Sequence, residues 1–321
     1  MASAAEIDGL RVPLPGINPY APTSGFLFTY SGASVAFSVR QLNNNADYVM
    51  RVRRVTGVGN TGNDDEADVK FDTTLTDPTI SLDSPVDNFS AGGSNATTLG
   101  EFLNVGTVGG TTYSDADSLS PNTAEAYATT WYDLTGNQNH AEQTAPQFQP
   151  QIHSGTANTD LNTENGKPEL VCNVDRFDLT SSITPSAYSA IHVSQQSGRD
   201  SASFGRSTIY NYSALYQSIN TWFYHVTAGR TVSFIVPLNT QQLHWLNWSG
   251  STVGIGVDGG ALTTGSLSAS PEINTLLYAA GATQGGWRGG VQEMIFWPND
   301  EDNAGNRTGI ETDINGFYSI Y

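Results

Sequence analysis

Carboxylates are the reactive groups this sequence holds in quantity: 31 Asp and Glu against 13 Lys and Arg. Glycosidic hydrolysis needs two of them facing one another across a scissile bond, an acid and a nucleophile or base. The densest group, Asp64, Asp65, Glu66 and Asp68, follows Arg51, Arg53 and Arg54 at a spacing that suits two paired strands. Cross-strand ion pairs are the plain reading of that pattern. A sugar-carboxylate site built on the arginines is the sharper one. From 179 to 292 the only acids are Asp200, Asp258 and Glu272. Asp258 falls in the turn Val257-Asp258-Gly259-Gly260, which reads as a hairpin. No pair stands out, so no catalytic residue is assigned and the chain is expected not to be an enzyme.

Other chemistries find less support. His140, His153, His192, His225 and His244 lack metal-ligand spacing, and there is neither a Gly-x-Ser-x-Gly elbow nor a Gly-Lys-Ser/Thr loop. A single cysteine, Cys172, excludes an intrachain disulfide and a cysteine zinc site. Its setting reads as a strand with a buried thiol. Asp133, before Gly136 and Asn137, either caps a left-handed turn or ligates calcium, so calcium is the one cofactor kept open.

Three tryptophans are the glycan-contact candidates. In Leu243–Trp248 residues of both parities are apolar, so Trp245 and Trp248 are expected either in a subunit interface or on a sugar-stacking platform. Trp287, between Gly285-Gly286 and Gly289-Gly290, is expected in an exposed turn.

The elements that must position these residues are short strands. Only 14% of residues are charged, against about 25% in an average domain, and there are 33 glycines. That composition suits turn-rich β architecture over helical bundles. Strand signals run through Tyr48–Val55, Ala67–Phe71, Tyr127–Tyr132, Glu169–Cys172, Ala190–Val193, Leu243–Trp248, Thr252–Val257 and Val291–Trp297, with Gly, Asn, Ser and Asp between them. Ser34–Leu42 fits a strand or a short helix. Thr98-Leu99-Gly100-Glu101 and Thr308-Gly309-Ile310-Glu311 read as capping boxes, the second opening a closing helix with Ile310, Ile314 and Phe317 inward. Four prolines from Pro13 to Pro22 predict an extended arm over residues 1–28, leaving 29–321 as one domain.

The net charge of -18, with two lysines, argues against nucleic acid and anionic membrane as partners. No apolar run reaches the ~18–20 residues of a membrane span. The N-terminal residues carry Glu6 and Asp8 and no apolar core of a secretory leader, so Sec export is not expected.

Three stretches carry a resemblance. Phe37–Leu42, Val49–Arg54 and Asp64–Val69 form the first; Thr129-Thr130-Trp131-Tyr132-Asp133-Leu134-Thr135-Gly136-Asn137-Gln138-Asn139-His140, with Gln149–Ile152 and Asn165–Pro168, the second; Gln292–Trp297 with Asn306–Glu311 the third. Together they resemble the concanavalin A-like (laminin-G-like) domains of tailed-phage virion proteins. The N-terminal half is similar to the catalytic domain of B-type α-L-arabinofuranosidases. The resemblance implies an all-β jelly-roll sandwich with short peripheral helices and a C-terminal helix. It also implies a structural virion component, whether capsid decoration, head fibre or tail appendage. Such a protein is displayed on the particle, with other virion proteins or further copies of itself as partners and a host-surface glycan as a ligand. The alternative is a glycoside hydrolase of the α-L-arabinofuranosidase type.

Overall fold

The computed structural model describes residues 24–56, 63–90, 94–114, 116–117, 123–197, 203–205, 237–266, 272–278, 286–302 and 305–321, together with the backbone of five short strands within 5–12 and 214–235. The arm expected over 1–28 lies mostly outside these residues. Its last part does not: helix α1 (Phe26–Thr29) buries Phe26 and Leu27 in the core, so the boundary drawn at residue 28 falls inside a core element.

The strands that carry the argument are β1 (Val35–Ser38), β2 (Tyr48–Val55), β3 (Glu66–Lys70), β4 (Glu125–Trp131), β5 (Gln151–Ser154), β6 (Leu170–Asp175), β7 (Phe177–Ile183), β8 (Tyr188–Gln196), β9 (Gln241–Trp248), β10 (Thr252–Val257) and β11 (Trp287–Trp297). They join one curled antiparallel sheet in which β4, β5, β6, β11, β8, β9 and β10 are successive neighbours. β2 pairs with β4 and β3 with β2, while β1 pairs with β11. The curl brings the two halves face to face as an all-β sandwich, as expected. Phe37 of β1 meets Trp131 of β4 with ring centroids 5.7 Å apart, and Trp131 meets Phe177 of β7 at 6.3 Å.

Of Ser34–Leu42, ambiguous by periodicity, Val35–Ser38 is strand and no part is helix. All four residues of β1 are buried, because β11 flanks it and both its faces are covered. β11 is the hub, pairing with β6, β8 and β1 over eleven residues. The outer face of its layer is closed by two helices. Helix α1 packs Phe26 near Trp297, with centroids 6.3 Å apart. Helix α3 (Arg307–Tyr318) buries Ile310, Ile314, Phe317 and Tyr318. Gly256 of β10 allows this approach, since a Cβ there would lie 2.5 Å from Arg307 Nη2.

Helix α2 (Leu99–Leu103) has the expected capping box: Thr98 Oγ1 accepts from the Glu101 N–H and Glu101 accepts from the Thr98 N–H, both at 3.3 Å. The box expected at Thr308–Glu311 does not form. Helix α3 begins two residues earlier than that box requires, with Asn306 as its N-cap and no side-chain cap bond. Glu311 instead accepts from Arg307 Nε at 2.9 Å within the helix. No helix among the described residues is long and apolar enough to cross a membrane.

Candidate functional site

One face of β4 packs inward and the other is open. Ala126, Ala128 and Trp131 are fully buried, whereas Glu125, Tyr127, Thr130 and Tyr132 stay part-exposed. Arg51 and Val52 of β2 face Thr130 and Ala128, so β4 carries one extra residue, Thr129, and this bulge keeps both halves of β4 in phase with the core. The open face carries two clefts.

The first, about 620 Å³, is centred on Tyr127. Arg53 of β2, Glu125 of β4, Gln151 of β5 and Asn173 and Asp175 of β6 line it, with Pro146 and Gln147 at the rim. The Tyr127 hydroxyl donates to Glu125 Oε2 at 2.6 Å and accepts from Gln151 Nε2 at 3.3 Å. Burial, with Glu125 beside it, pushes the phenol up to about 12, so it stays a donor. The Arg53 guanidinium lies 5.4 Å from the Tyr127 ring centroid and is fixed by Gln149 Oε1 at 2.8 Å and Asp64 Oδ1 at 2.5 Å. Burial raises the Asp175 carboxyl to about 6, opposed by one N–H bond from Asn173 at 2.6 Å.

The second cleft, about 380 Å³, is centred on Tyr132. Its wall is an aromatic corner: Tyr48 lies 6.0 Å from the Tyr132 ring, and His140 meets that ring edge-on at 5.1 Å. Asn43, Asn45, Asp47 and Gln138 add polar groups. Asp68 anchors the corner, accepting from Tyr132 Oη at 2.6 Å, Arg51 Nη1 at 2.8 Å and Asn88 Nδ2 at 2.9 Å. His140 Nδ1 accepts the Asp133 N–H at 3.1 Å, which places the neutral ring's proton on Nε2. Burial lowers the His140 pKa against the pull of Asp133 and Glu142, and favours that neutral form.

The arginine and acid clusters pair as ions rather than forming an open sugar-carboxylate site. Arg51 bonds Glu66 and Asp68, and Arg54 bonds Asp65 and Asp117, all at 2.7–2.8 Å. Asp133 accepts from the N–H groups of Ala36, Thr135 and Asn139 at 3.0–3.2 Å and from the Thr135 hydroxyl at 2.8 Å. This is the turn-capping arrangement. Among the described residues no group of three His, Cys, Asp or Glu gathers that could hold a metal ion.

The exposure expected of the tryptophans is not found. Trp245 is fully buried beneath α3, stacked on Trp297 with centroids 6.4 Å apart and capped by the Arg307 guanidinium at 5.8 Å. Thus the second apolar face of Leu243–Trp248 is covered by the chain's own helix. Trp248 is buried against Tyr188 at 6.0 Å. Trp287 opens β11 opposite Asp175 instead of lying in a turn, and is buried edge-on to His192 at 4.7 Å.

Sequence reasoning missed Glu125, Tyr127, Tyr132 and Asp175. The signal available was the alternation Glu125-Ala126-Tyr127-Ala128, with polar and aromatic residues on one parity and small apolar ones on the other.

No protein-family model matches the chain, and no curated protein does. Solved structures do. A mutant GH54 α-L-arabinofuranosidase soaked with 4-nitrophenyl α-L-arabinofuranoside is similar at a TM-score of 0.51 and 11% identity, over 87% of this chain and 62% of that one. A GH54 α-L-arabinofuranosidase soaked with a cyclic sulfate inhibitor gives 0.50 and 11% over the same shares. The chain therefore spans about three fifths of those proteins' length. At that identity the likeness establishes the sandwich fold. It also overturns the expectation that the chain is not an enzyme, since both of these similar structures are glycoside hydrolases. That expectation rested on the scarcity of acids from 179 to 292, whereas the clefts draw their carboxylates from before that stretch.

Proposed function

We propose that this chain is a carbohydrate-active sandwich that seats a glycan in the cleft around Tyr127. The observation that carries this reading is the lining itself. A tyrosine ring, an arginine fork, two carboxylates and several side-chain amides converge on one concavity of a rigid sheet. Fixed donors and acceptors suit hydroxyl groups, and an aromatic ring suits the C–H face of a sugar. The fold shared with arabinofuranosidases is consistent with it. The test is a screen of the purified chain on an oligosaccharide array. Binding that drops at least tenfold in Tyr127→Ala supports the reading, and an array without a single bound glycan overturns it.

Hydrolysis is the more specific reading, and Asp175 favours it. A carboxyl held protonated up to about pH 6 can give its proton to a departing glycosidic oxygen. Glu125, in the same cleft, is the second carboxylate that such chemistry requires. Release of reducing sugar below pH 6 that disappears in Asp175→Asn supports this step. Equal release by both proteins overturns it. The narrower reading, a tailed-phage virion component presenting this face to host glycans, rests on the motif resemblance. Mass spectrometry of purified particles tests it, and particles lacking the chain overturn it.

A further inference from the structure

The two clefts lie on one strand and open on one face. Tyr127 lies on the outward side of β4 and Tyr132 directly follows the strand's last residue, five positions on, which is roughly 16 Å of extended chain. Between them the face is polar. Thr130 lies part-exposed, Arg51 is paired with Glu66 and Asp68 of β3, and Arg53 with Asp64 in the turn before it. The bulky Trp131 turns inward, and the exposed Glu142 lies opposite Thr130 on the neighbouring strand.

The charge on this face is one-sided. Asp47 and Asp68 line one cleft and Glu125 and Asp175 the other. Arg53 in the Tyr127 cleft is already paired with Asp64, and Arg51 between the clefts with Glu66 and Asp68. An anionic sugar meets net repulsion at both ends, whereas hydroxyl groups find donors and acceptors throughout.

We infer that the face takes a single extended, uncharged oligosaccharide, running along β4 with one unit in the Tyr127 cleft and another in the Tyr132 cleft. This rests on glycan binding at Tyr127 and adds a chain length and a charge class to it. Filling the second cleft through a covalent link makes that contact intramolecular, so affinity rises steeply once the oligomer is long enough to span.

The experiment is titration of the full chain with graded xylo-, arabino- and manno-oligosaccharides of one to eight units, and with galacturonate oligomers of the same lengths. The expected result is a neutral series whose Kd falls at least tenfold between short and long members, with no binding of the galacturonates. Tyr132→Ala returns the long members to the affinity of the short ones and leaves the short ones unchanged, while Tyr127→Ala weakens both. Should Tyr132→Ala melt early, Gln138→Gly removes a side chain from the same cleft at a position whose φ is 59°, where glycine is comfortable. A Kd independent of length, or long members unaffected by both second-cleft variants, overturns the inference and leaves the single-cleft reading intact. Tight galacturonate binding overturns the charge class. Failure of every series to bind removes the proposed function and this inference together.

Discussion

Arg40 and Glu293, 253 positions apart, form a two-pronged ion pair, Nε to Oε2 at 2.8 Å and Nη2 to Oε1 at 3.1 Å. Both are buried where β1 meets β11, and the same carboxylate accepts from Ser38 Oγ at 2.7 Å and Tyr318 Oη at 3.1 Å. The pair therefore ties the first strand, the closing strand and helix α3 at one point. Removing one partner leaves a buried charge short of compensation, at about 3–5 kcal/mol. Glu293→Gln is expected to lose stability in that range by urea unfolding. A loss below about 1 kcal/mol would show that Asp313, which also holds Arg40 at 2.7 Å, suffices alone.

His192 and His244 face each other across β8 and β9, both fully buried. Burial holds His192 well below the usual histidine range, and His244 down at about 3. Their folded pKa values lie below the unfolded one, so the stability that they allow is intact above about pH 6.5 and is lost as pH falls. Asp175 and Glu169 act oppositely, raised by burial to about 6 and about 7. Their contribution is intact below about pH 4 and declines as pH rises through those values. The histidine effect is therefore read as a difference between proteins. From pH 6.5 to 4.5, wild type is expected to lose more Tm than His244→Gln, and Asp175→Asn to lose more than wild type. Parallel Tm curves for all three would show that these groups titrate alike folded and unfolded.

Much of the scaffold was legible, because alternation and turn residues act locally. Tyr48–Val55 reads as a strand since Met50 and Val52 alternate with Arg51 and Arg53, and the following acids predict its partner. What needs tertiary knowledge was not. Trp245 looks like a platform until α3 is seen to cover it. Trp287 looks like a turn residue, as its glycines suggest flexibility. Instead, Gly289 and Gly290 permit close packing, with a Cβ at Gly289 lying 2.1 Å from the Gln195 carbonyl oxygen. The clefts were invisible for a related reason. They assemble side chains from β2, β4, β5 and β6, whose lateral order is set by pairing and not by sequence proximity.

Phe26 gives the N-terminal boundary an experimental handle. Its ring packs on Tyr30 at 5.0 Å and beneath the Arg40 guanidinium at 5.2 Å. Deletion of residues 1–28 removes it together with the buried Leu27, whereas deletion of 1–23 spares both. The longer deletion is expected to be less stable than the shorter by about 3–5 kcal/mol or more, the scale of emptying one large aromatic site. Equal unfolding midpoints for the two truncations would mean that α1 does not contribute to the core.

Helix α3 makes the final prediction, because its stripe and its cap separate cleanly. Ile314 is fully buried against the outer face of the sheet, so Ile314→Ala deletes packed methyl groups and leaves a cavity. The expected cost is about 2–5 kcal/mol. Thr308 is another matter. The Thr-x-x-Glu spacing suggests a cap worth about 1 kcal/mol. In the fold, however, Thr308 is the second helical residue, is exposed, and offers only its backbone carbonyl, to Thr312 Oγ1 at 2.7 Å. A backbone acceptor survives mutation to alanine, and alanine is the better helix former. Thr308→Ala is therefore expected to fall within about 0.5 kcal/mol of wild type by chemical denaturation. A loss near 1 kcal/mol at Thr308 would restore the capping box and shift the helix start by two residues. A neutral Ile314→Ala would mean that α3 does not close the sheet, and that the covering of Trp245 must come from elsewhere.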